Sequence, residues 1–465
     1  MQLRALLRDV VFSFSSNALQ LMTSAIIILI LPKFITGLNY GLFQVFLFYI
    51  SYVGLSTFGW LDGIFLEFGG SNTAEIMASH VGKQLRIFVI YLVAISTILT
   101  LGIAAFTHGD IRLVYQLVVI GGVIYNINLF MGYILQATRQ FAKYAISQAL
   151  INAIYVILIL VSVNQQLGYI GLAMTYIISQ FFGMVVLLSY SSEWAFNKYD
   201  YDLRDTLIDT NKYIRRGIKM LIANYSGLLI IGIVRYFIQA EWSVQFFGKI
   251  SMLFSLANFI LVFVSSFATV LFPHLRNVDE NDLLNVKVKM DRFLAPILIL
   301  VLILVFPMKG VLKYWLPKYE ASLYLLDLIF PVIVFQSIFQ LSQSTILKTK
   351  NREDDLLISN VVGFVLNGIL AAIAIYIFHS ISLALMFTLL SFMVRNMVAN
   401  YLMNQHVFNN SESLGRPYLY LYVAVSWLVV SQEIIGMSAV YSLTGILLLL
   451  LVSVSKIKSG RGFQN

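Results

Sequence analysis

Fourteen stretches of this chain are long enough and apolar enough to cross a lipid bilayer, and they leave little of it over. A span needs ~20 apolar residues. With no water in the hydrocarbon core, each span must pair its own backbone N–H and C=O groups, which makes every one a helix unless the chain closes into a barrel. The predicted helices cover 11–32, 39–61, 87–106, 113–136, 144–163, 169–190, 218–238, 244–272, 292–312, 322–346, 356–378, 381–404, 417–434 and 437–455. Little more than Gly436 separates the last two, and a re-entrant hairpin is the alternative there. The chain is 59% hydrophobic and 11% charged, against ~25% charged in soluble domains. That composition cannot cover a water-facing surface. The fold class expected is therefore an all-α polytopic membrane protein. The first segment, Val11 to Leu31, exceeds a signal-peptide core of ~7–15 residues and is followed by Pro32 and Lys33, so it reads as a retained helix.

The distribution of positive charge orients the helices. With the N-terminus in the cytoplasm, 23 of the 31 Lys and Arg fall in cytoplasmic segments and five in outer ones. The remaining three, Arg235, Lys249 and Arg395, lie inside helices. Cytoplasmic loops carry such an excess, so both termini are expected inside. The net charge of +9 then belongs to the membrane's inner face, and no nucleic-acid partner is implied. The outer loops are short. The two longer loops, 191–217 and 273–291, are cytoplasmic, which confines function to the membrane.

The longest loop falls after the sixth helix. This divides the chain into a six-helix lobe at 1–190, a cytoplasmic linker at 191–217, a second six-helix lobe at 218–404 and two further helices at 417–455. Six is even, so the lobes enter the membrane in the same direction, as in parallel transporter repeats. A faint internal echo agrees: "LPKFI" then "NYGLFQ" at the first helix pair, "VRYFI" then "QFFGKI" at the seventh and eighth.

Enzyme and cofactor signatures are absent from the sequence. There is no cysteine, and the five histidines are scattered, so no thiolate or clustered metal site is expected. No phosphate-binding Gly-Lys loop, HExxH or nucleophile elbow occurs. The chain is read as a non-enzyme without a cofactor.

The candidate residues are the charges that the helices carry into the membrane, where ionisable groups are expensive and mark function. Arg235, in "GLLIIGIVRYFIQ", lies ~24 Å from the cytoplasmic end of its helix at ~1.5 Å rise per residue. It either snorkels to the outer headgroups or faces a cavity and binds an anionic headgroup, for which its planar fork is suited. Lys33 and Lys249 lie near the same side and are candidate partners for the same anion. Arg395 reads as snorkelling to the cytoplasm. Asp327 either pairs with Lys313 or Lys318 or serves as a proton or sodium site. Asp62 and Glu67, in "FGWLDGIFLEFGG", sit at the cytoplasmic mouth of the second helix, as a solvated helix exit or as gate residues. Pro296, Pro307 and Pro331 are candidate bending points. The amides along the helices, among them Asn126, Asn128, Gln136 and Gln336, are explained mostly by helix–helix hydrogen bonds.

"YGLFQVFLFYISYVGL", "GWLDGIFLEFGG" and "NYSGLLIIGIVRYFI" followed by "FFGKIS" together resemble the polysaccharide transporter family of bacterial flippases. That family belongs to the superfamily that also holds multidrug and toxin extrusion proteins and peptidoglycan-precursor flippases. The resemblance implies two six-helix lobes in a V around a central cavity, in the bacterial cytoplasmic membrane. It implies a flippase that turns an undecaprenyl-pyrophosphate-linked oligosaccharide from the inner to the outer leaflet, for capsule, exopolysaccharide or O-antigen assembly. The motion would be alternating access coupled to an ion gradient, with cavity cations on the pyrophosphate. The partners implied are the lipid-linked oligosaccharide, membrane lipids and a polysaccharide polymerase machinery. An exporter of drugs or organic cations is the alternative within the same superfamily; it would want buried acids, whereas the buried charges here are mostly basic. Relatives often carry an acid just before the seventh-helix arginine. This chain has Val234 there, so no acid role carries over to that position.

Overall fold

The computed structural model describes residues 21–77, 79–196, 202–276 and 280–408. The two helices expected at 417–455, and the start of the first, lie outside them. All regular structure among the described residues is helical. Among the described residues, ten helices are long and apolar enough to cross a membrane, and each falls on an expected segment. Their outward faces would be untenable in water. On α4 (Val81–Phe106), Ile90 and Ile98 are each 68% exposed and Leu101 66%. The protein is a multi-pass membrane protein.

The chain divides into two compact units, one comprising residues up to Tyr225 together with Ser243–Gly248, the other comprising Ser226–Trp242 and the rest. In the first, α1 (Leu21–Phe34) leads into α2 (Gly37–Ile50), capped by the Thr36 hydroxyl accepting from the Asn39 N–H at 3.3 Å. A 3-10 turn, Val53–Thr57, separates α2 from the short α3 (Trp60–Glu67). After α4 come α5 (Gly109–Ala137), α6 (Phe141–Asn164) and α7 (Gly168–Ala195). The long α8 (Leu203–Glu241) belongs to the first unit up to Tyr225. Helix α5 is central and packs on α2, α4 and α7.

In the second unit, α9 (Val244–Arg276) is followed by α10 (Glu280–Ile303) and α11 (Val305–Trp315). A 3-10 run, Pro317–Leu325, leads into α12 (Leu326–Ile338), which continues through a π turn at Phe339–Ser344 to Thr349. Helices α13 (Glu353–Ala372) and α14 (Ile381–Met403) follow, and α14 packs on both α12 and α13.

Both long loops prove to be largely helical. Residues 203–217 form the start of α8 and 280–291 the start of α10. These stretches are too polar to register as membrane spans, yet their charges stand at helical spacing. Lys287 and Asp291, buried and four residues apart, bond at 2.7 Å. The ninth expected helix breaks at Leu304, between α10 and α11. Pro307 explains the place: its ring clashes with the carbonyl four residues back, at Ile303, and supplies no N–H to it.

One feature of the sequence echo has a structural counterpart. A β-carbon at Gly248 would lie 2.7 Å from the Gly41 Cα, so the glycines of "NYGLFQ" and "QFFGKI" pack backbone to backbone. Small residues at such crossings are what hold membrane helices together, since apolar side chains gain little by leaving lipid. The contact also explains why Ser243–Gly248 groups with the first unit.

Candidate functional site

In the second unit, α8 presents a stripe of fully packed residues, Ser226, Ile230, Val234 and Ile238, spaced four apart as one helix face requires. The Asn367 amide of α13 donates to the Ile230 carbonyl at 2.5 Å and ties that face down. Arg235 sits one residue off the stripe and is half-buried. Val234 is inside the packing. Lys249, also of this unit, is half-buried on α9, while Lys33 of the first unit is exposed in the last turn of α1.

Arg395 is the main correction to the sequence reading. It does not snorkel: its side chain is 0% exposed. Its guanidinium lies 3.8 Å from the ring centre of Phe339, at the π turn of α12, and 4.5 Å from that of Phe392. The neighbouring core is polar as well. Asn396 donates to the carbonyls of Phe392 at 2.8 Å and Phe335 at 3.2 Å, and Gln343 donates to the Asn396 carbonyl at 3.2 Å.

Asp327 lies in the first turn of α12 and is 3% exposed. A carboxylate there faces the positive end of the helix dipole. Its Oδ2 is paired with Lys309 of α11, not with Lys313 or Lys318. Lys313 instead bonds Glu320 at 2.6 Å. The lysine that reaches Asp327 is the one the break at Leu304 turns toward it, which spacing alone does not reveal. Removing one partner of a buried pair leaves an uncompensated charge and costs about 3–5 kcal/mol, whereas removing both is often neutral. Lys309→Met should therefore melt well below the parent in a detergent thermal-shift assay, and Lys309→Met with Asp327→Leu should recover most of the loss.

In the first unit, Asp62 and Glu67 occupy different environments although both lie on α3. Glu67 is exposed and accepts from Lys212 Nζ at 2.8 Å and Arg216 Nη1 at 2.5 Å, both on α8. The Lys212 ammonium, above all, holds its carboxyl below the usual glutamate range. Asp62 is 4% exposed, because α3 and α8 approach almost to backbone contact. A β-carbon at Gly217 would lie 2.0 Å from the Gly59 carbonyl oxygen and 2.3 Å from the Gly63 nitrogen. "GWLDG" is thus a small-xxx-small crossing motif, with Gly59 held at φ +82°. Burial pushes the Asp62 carboxyl up to about 6, with its own backbone N–H pulling the other way. The far side of α3 is fastened by Gln84 of α4. Its Oε1 accepts from Trp60 Nε1 at 3.0 Å and the Thr210 hydroxyl at 2.9 Å, and its amide donates to the Thr206 carbonyl at 2.9 Å.

The amides behave largely as helix ties. Asn126 donates to the Val53 carbonyl at 3.2 Å and to Ser56 Oγ at 3.1 Å, and Asn128 donates to the carbonyl and side chain of Gln180 at 2.9 and 2.8 Å. The sequence reading missed the burial of Arg395 and the role of Lys309. A signal for the first was present in "SFMVRNMVAN", where Asn396 beside the arginine marks an inward-facing polar patch.

No protein-family model and no curated protein matches the sequence. Solved structures do match over nearly the whole chain. The lipid II flippase MurJ, in an inward closed conformation, superposes with a TM-score of 0.68 at 12% identity, over 98% of this chain and 99% of that one. This chain has the fold of the MOP superfamily. An inward-facing multidrug resistance MATE family transporter of that superfamily gives 0.58 at 14% identity over 89% and 95% of the two chains. An outward-facing one gives 0.57 at 15% over 91% and 96%. At such identities the MOP likeness speaks for the fold, and residue roles must be argued from this chain.

Proposed function

We propose that this MOP-fold protein is a flippase for undecaprenyl-pyrophosphate-linked oligosaccharides in the bacterial cytoplasmic membrane. It carries the repeat unit from the inner to the outer leaflet by ion-coupled alternating access, for capsule, exopolysaccharide or O-antigen assembly. The observation that carries this reading is Arg235, a half-buried guanidinium on α8 whose preceding residue, Val234, is sealed in the packing. An arginine with no acid beside it in sequence is suited to a bidentate grip on a pyrophosphate. Lys249 of the same unit and Lys33 of the first unit are the further cations proposed for the headgroup. Glu67, with Lys212 and Arg216, is proposed on the cytoplasmic side, where the positive-inside distribution puts it. The likeness to a lipid II flippase supports a lipid-linked cargo. Export of organic cations is the second reading, and the buried carboxyl of Asp62 is the observation that favours it.

The test is surface polymer in cells that depend on this protein. Hydrogen bonds to charged groups contribute about 1.5–3 kcal/mol each, so Arg235→Ala should lower polymer output by at least ~10-fold while membrane abundance stays level. Arg235→Lys should also export poorly, because an ammonium cannot supply the fork. Normal polymer in both variants would defeat the headgroup role, and a gain of resistance to cationic drugs on overexpression would favour the exporter.

A further inference from the structure

The first turns of α8, residues 203–219, have two unlike faces. One is accounted for. Thr206, Thr210, Tyr213 and Gly217 are buried, spaced three or four apart as a single helix face requires. They meet α3 and α4 through the Gln84 bonds and the Gly59–Gly217 crossing. At 3.6 residues per turn, Arg204, Ile208, Arg215, Lys219 and Ile222 fall within about 60° of one another on the opposite side. All five are exposed, and so are Leu203 and Leu207 on their flank.

The acids of this arm are turned elsewhere. The Asp209 carboxylate lies 3.2 Å from His80 Nε2. Asp202 accepts from the Arg204 backbone N–H at 3.2 Å. Asp205 falls on the side of Lys212 and Arg216, the pair that bonds Glu67. The outward stripe is left cationic and apolar.

Contacts with α4 fix the level of the arm. Gln84 holds Thr206 and Thr210, whereas His80, just before α4, meets Asp209 and the Tyr213 hydroxyl at 3.2 Å each. Advancing along α8 from 206 to 213 therefore leads back along α4 from 84 to 80. The positive-inside distribution gives both helices a cytoplasmic entry, so an arm running into the membrane beside α4 would advance along it instead. This arm crosses the first turns of α4, where Lys83 and Arg86 stand at the inner headgroups. Ile208 is 58% exposed and Leu203 55%, a burden in water. A helix that lies in the membrane interface sets such side chains at the acyl boundary and its cations among the phosphates.

We propose that the start of α8 is a binding site for anionic lipid in the inner leaflet. Arg204, Arg215 and Lys219 engage the phosphates, and Leu203, Leu207, Ile208 and Ile222 rest against the first acyl carbons. Because α8 runs unbroken from the arm into its span, the bound headgroups also set where that span begins. The site does not depend on the identity of the cargo.

Two measurements on the full chain test this. The protein has no cysteine, so single cysteines can carry a nitroxide in nanodiscs of phosphatidylglycerol and phosphatidylcholine. A label at Ile208→Cys should be relaxed more by oxygen than by a water-soluble nickel chelate, and one at Asp205→Cys the reverse. Equal nickel access at the two positions puts the arm in water and overturns the proposal. The second measurement is a phosphatidylglycerol titration followed by native mass spectrometry. Each cation near an anionic surface is worth about 5-fold in affinity, so the combined variant Arg204→Gln, Arg215→Gln, Lys219→Gln should bind phosphatidylglycerol roughly 100-fold more weakly. Its binding of phosphatidylcholine should not change. Arg139→Gln with Lys143→Gln, which removes exposed cations at the junction of α5 and α6, should leave the affinity near that of the wild type. Undiminished binding in the triple variant, or an equal loss in the control pair, overturns the site.

Discussion

Replacing Arg395 with alanine is expected to reduce folded protein in the membrane more than any other substitution of a charged residue. The side chain is completely buried, and its guanidinium is stacked at 3.8 and 4.5 Å from two phenylalanine ring centres. A desolvated cation–π contact is worth about 2 kcal/mol, and truncating a large core side chain adds about 2–5 kcal/mol for lost packing and the cavity left behind. Together these rival the whole stability of a typical domain, about 5–15 kcal/mol. The loss should concentrate on three helices. Phe339 belongs to the π turn of α12, Phe392 and Arg395 to α14, and a β-carbon at Gly363 of α13 would stand 3.1 Å from the Arg395 Cβ. Arg395→Lys should fall between wild type and alanine, because it keeps the charge but loses the plane that stacks. Arg395→Met restores volume without charge, and its position relative to lysine measures how much of the effect is packing. Size-exclusion profiles and melting in detergent check all three. A stable, monodisperse Arg395→Ala protein would show that the stacked arginine contributes little.

Gly217→Ala is expected to damage the first unit severely, although the same change in an exposed helix stabilises it by about 1 kcal/mol. The added β-carbon would meet the Gly59 carbonyl at 2.0 Å, the Gly63 nitrogen at 2.3 Å and the Asp62 carbonyl carbon at 3.0 Å. All three are backbone atoms, which cannot rotate away as a side chain tip does. The helices α3 and α8 must separate, and such overpacking costs about 1–3 kcal/mol, often more where backbone has to move. Separation would also weaken the Glu67 contacts with Lys212 and Arg216 and admit water to Asp62. The expected result is a lower melting temperature. An unchanged melting temperature would mean that the crossing yields at little cost.

Much of the helical plan was legible because each span is a local property. Twenty apolar residues in a row form a helix wherever they sit in a bilayer, so the segments at 113–136, 144–163 and 169–190 reappear as α5, α6 and α7 with ends extended by a few residues. The start of α8 was illegible for the converse reason. Residues 203–217 are polar enough to look like a loop, and their helix is held by contacts with α3 and α4 that no local pattern announces. Pro307 was legible as a bend, but its effect on Lys309 was not.

The charges divide along the same line. That Arg235, Lys249, Asp327 and Arg395 lie inside helices follows from sequence alone, because depth is counted along one helix at a constant rise. Which of them is partnered, stacked or half-open depends on which helices lie beside them. Arg395 reads as a snorkelling residue by depth and proves to be a core residue by packing. Asp327 and Asp62 look alike as acids near helix ends, yet one has a lysine turned toward it and the other is closed in by a glycine crossing. Chain order sets how far a residue lies along its own helix. Only tertiary packing, which sets distances across helices, decides whether a buried charge has a counter-ion.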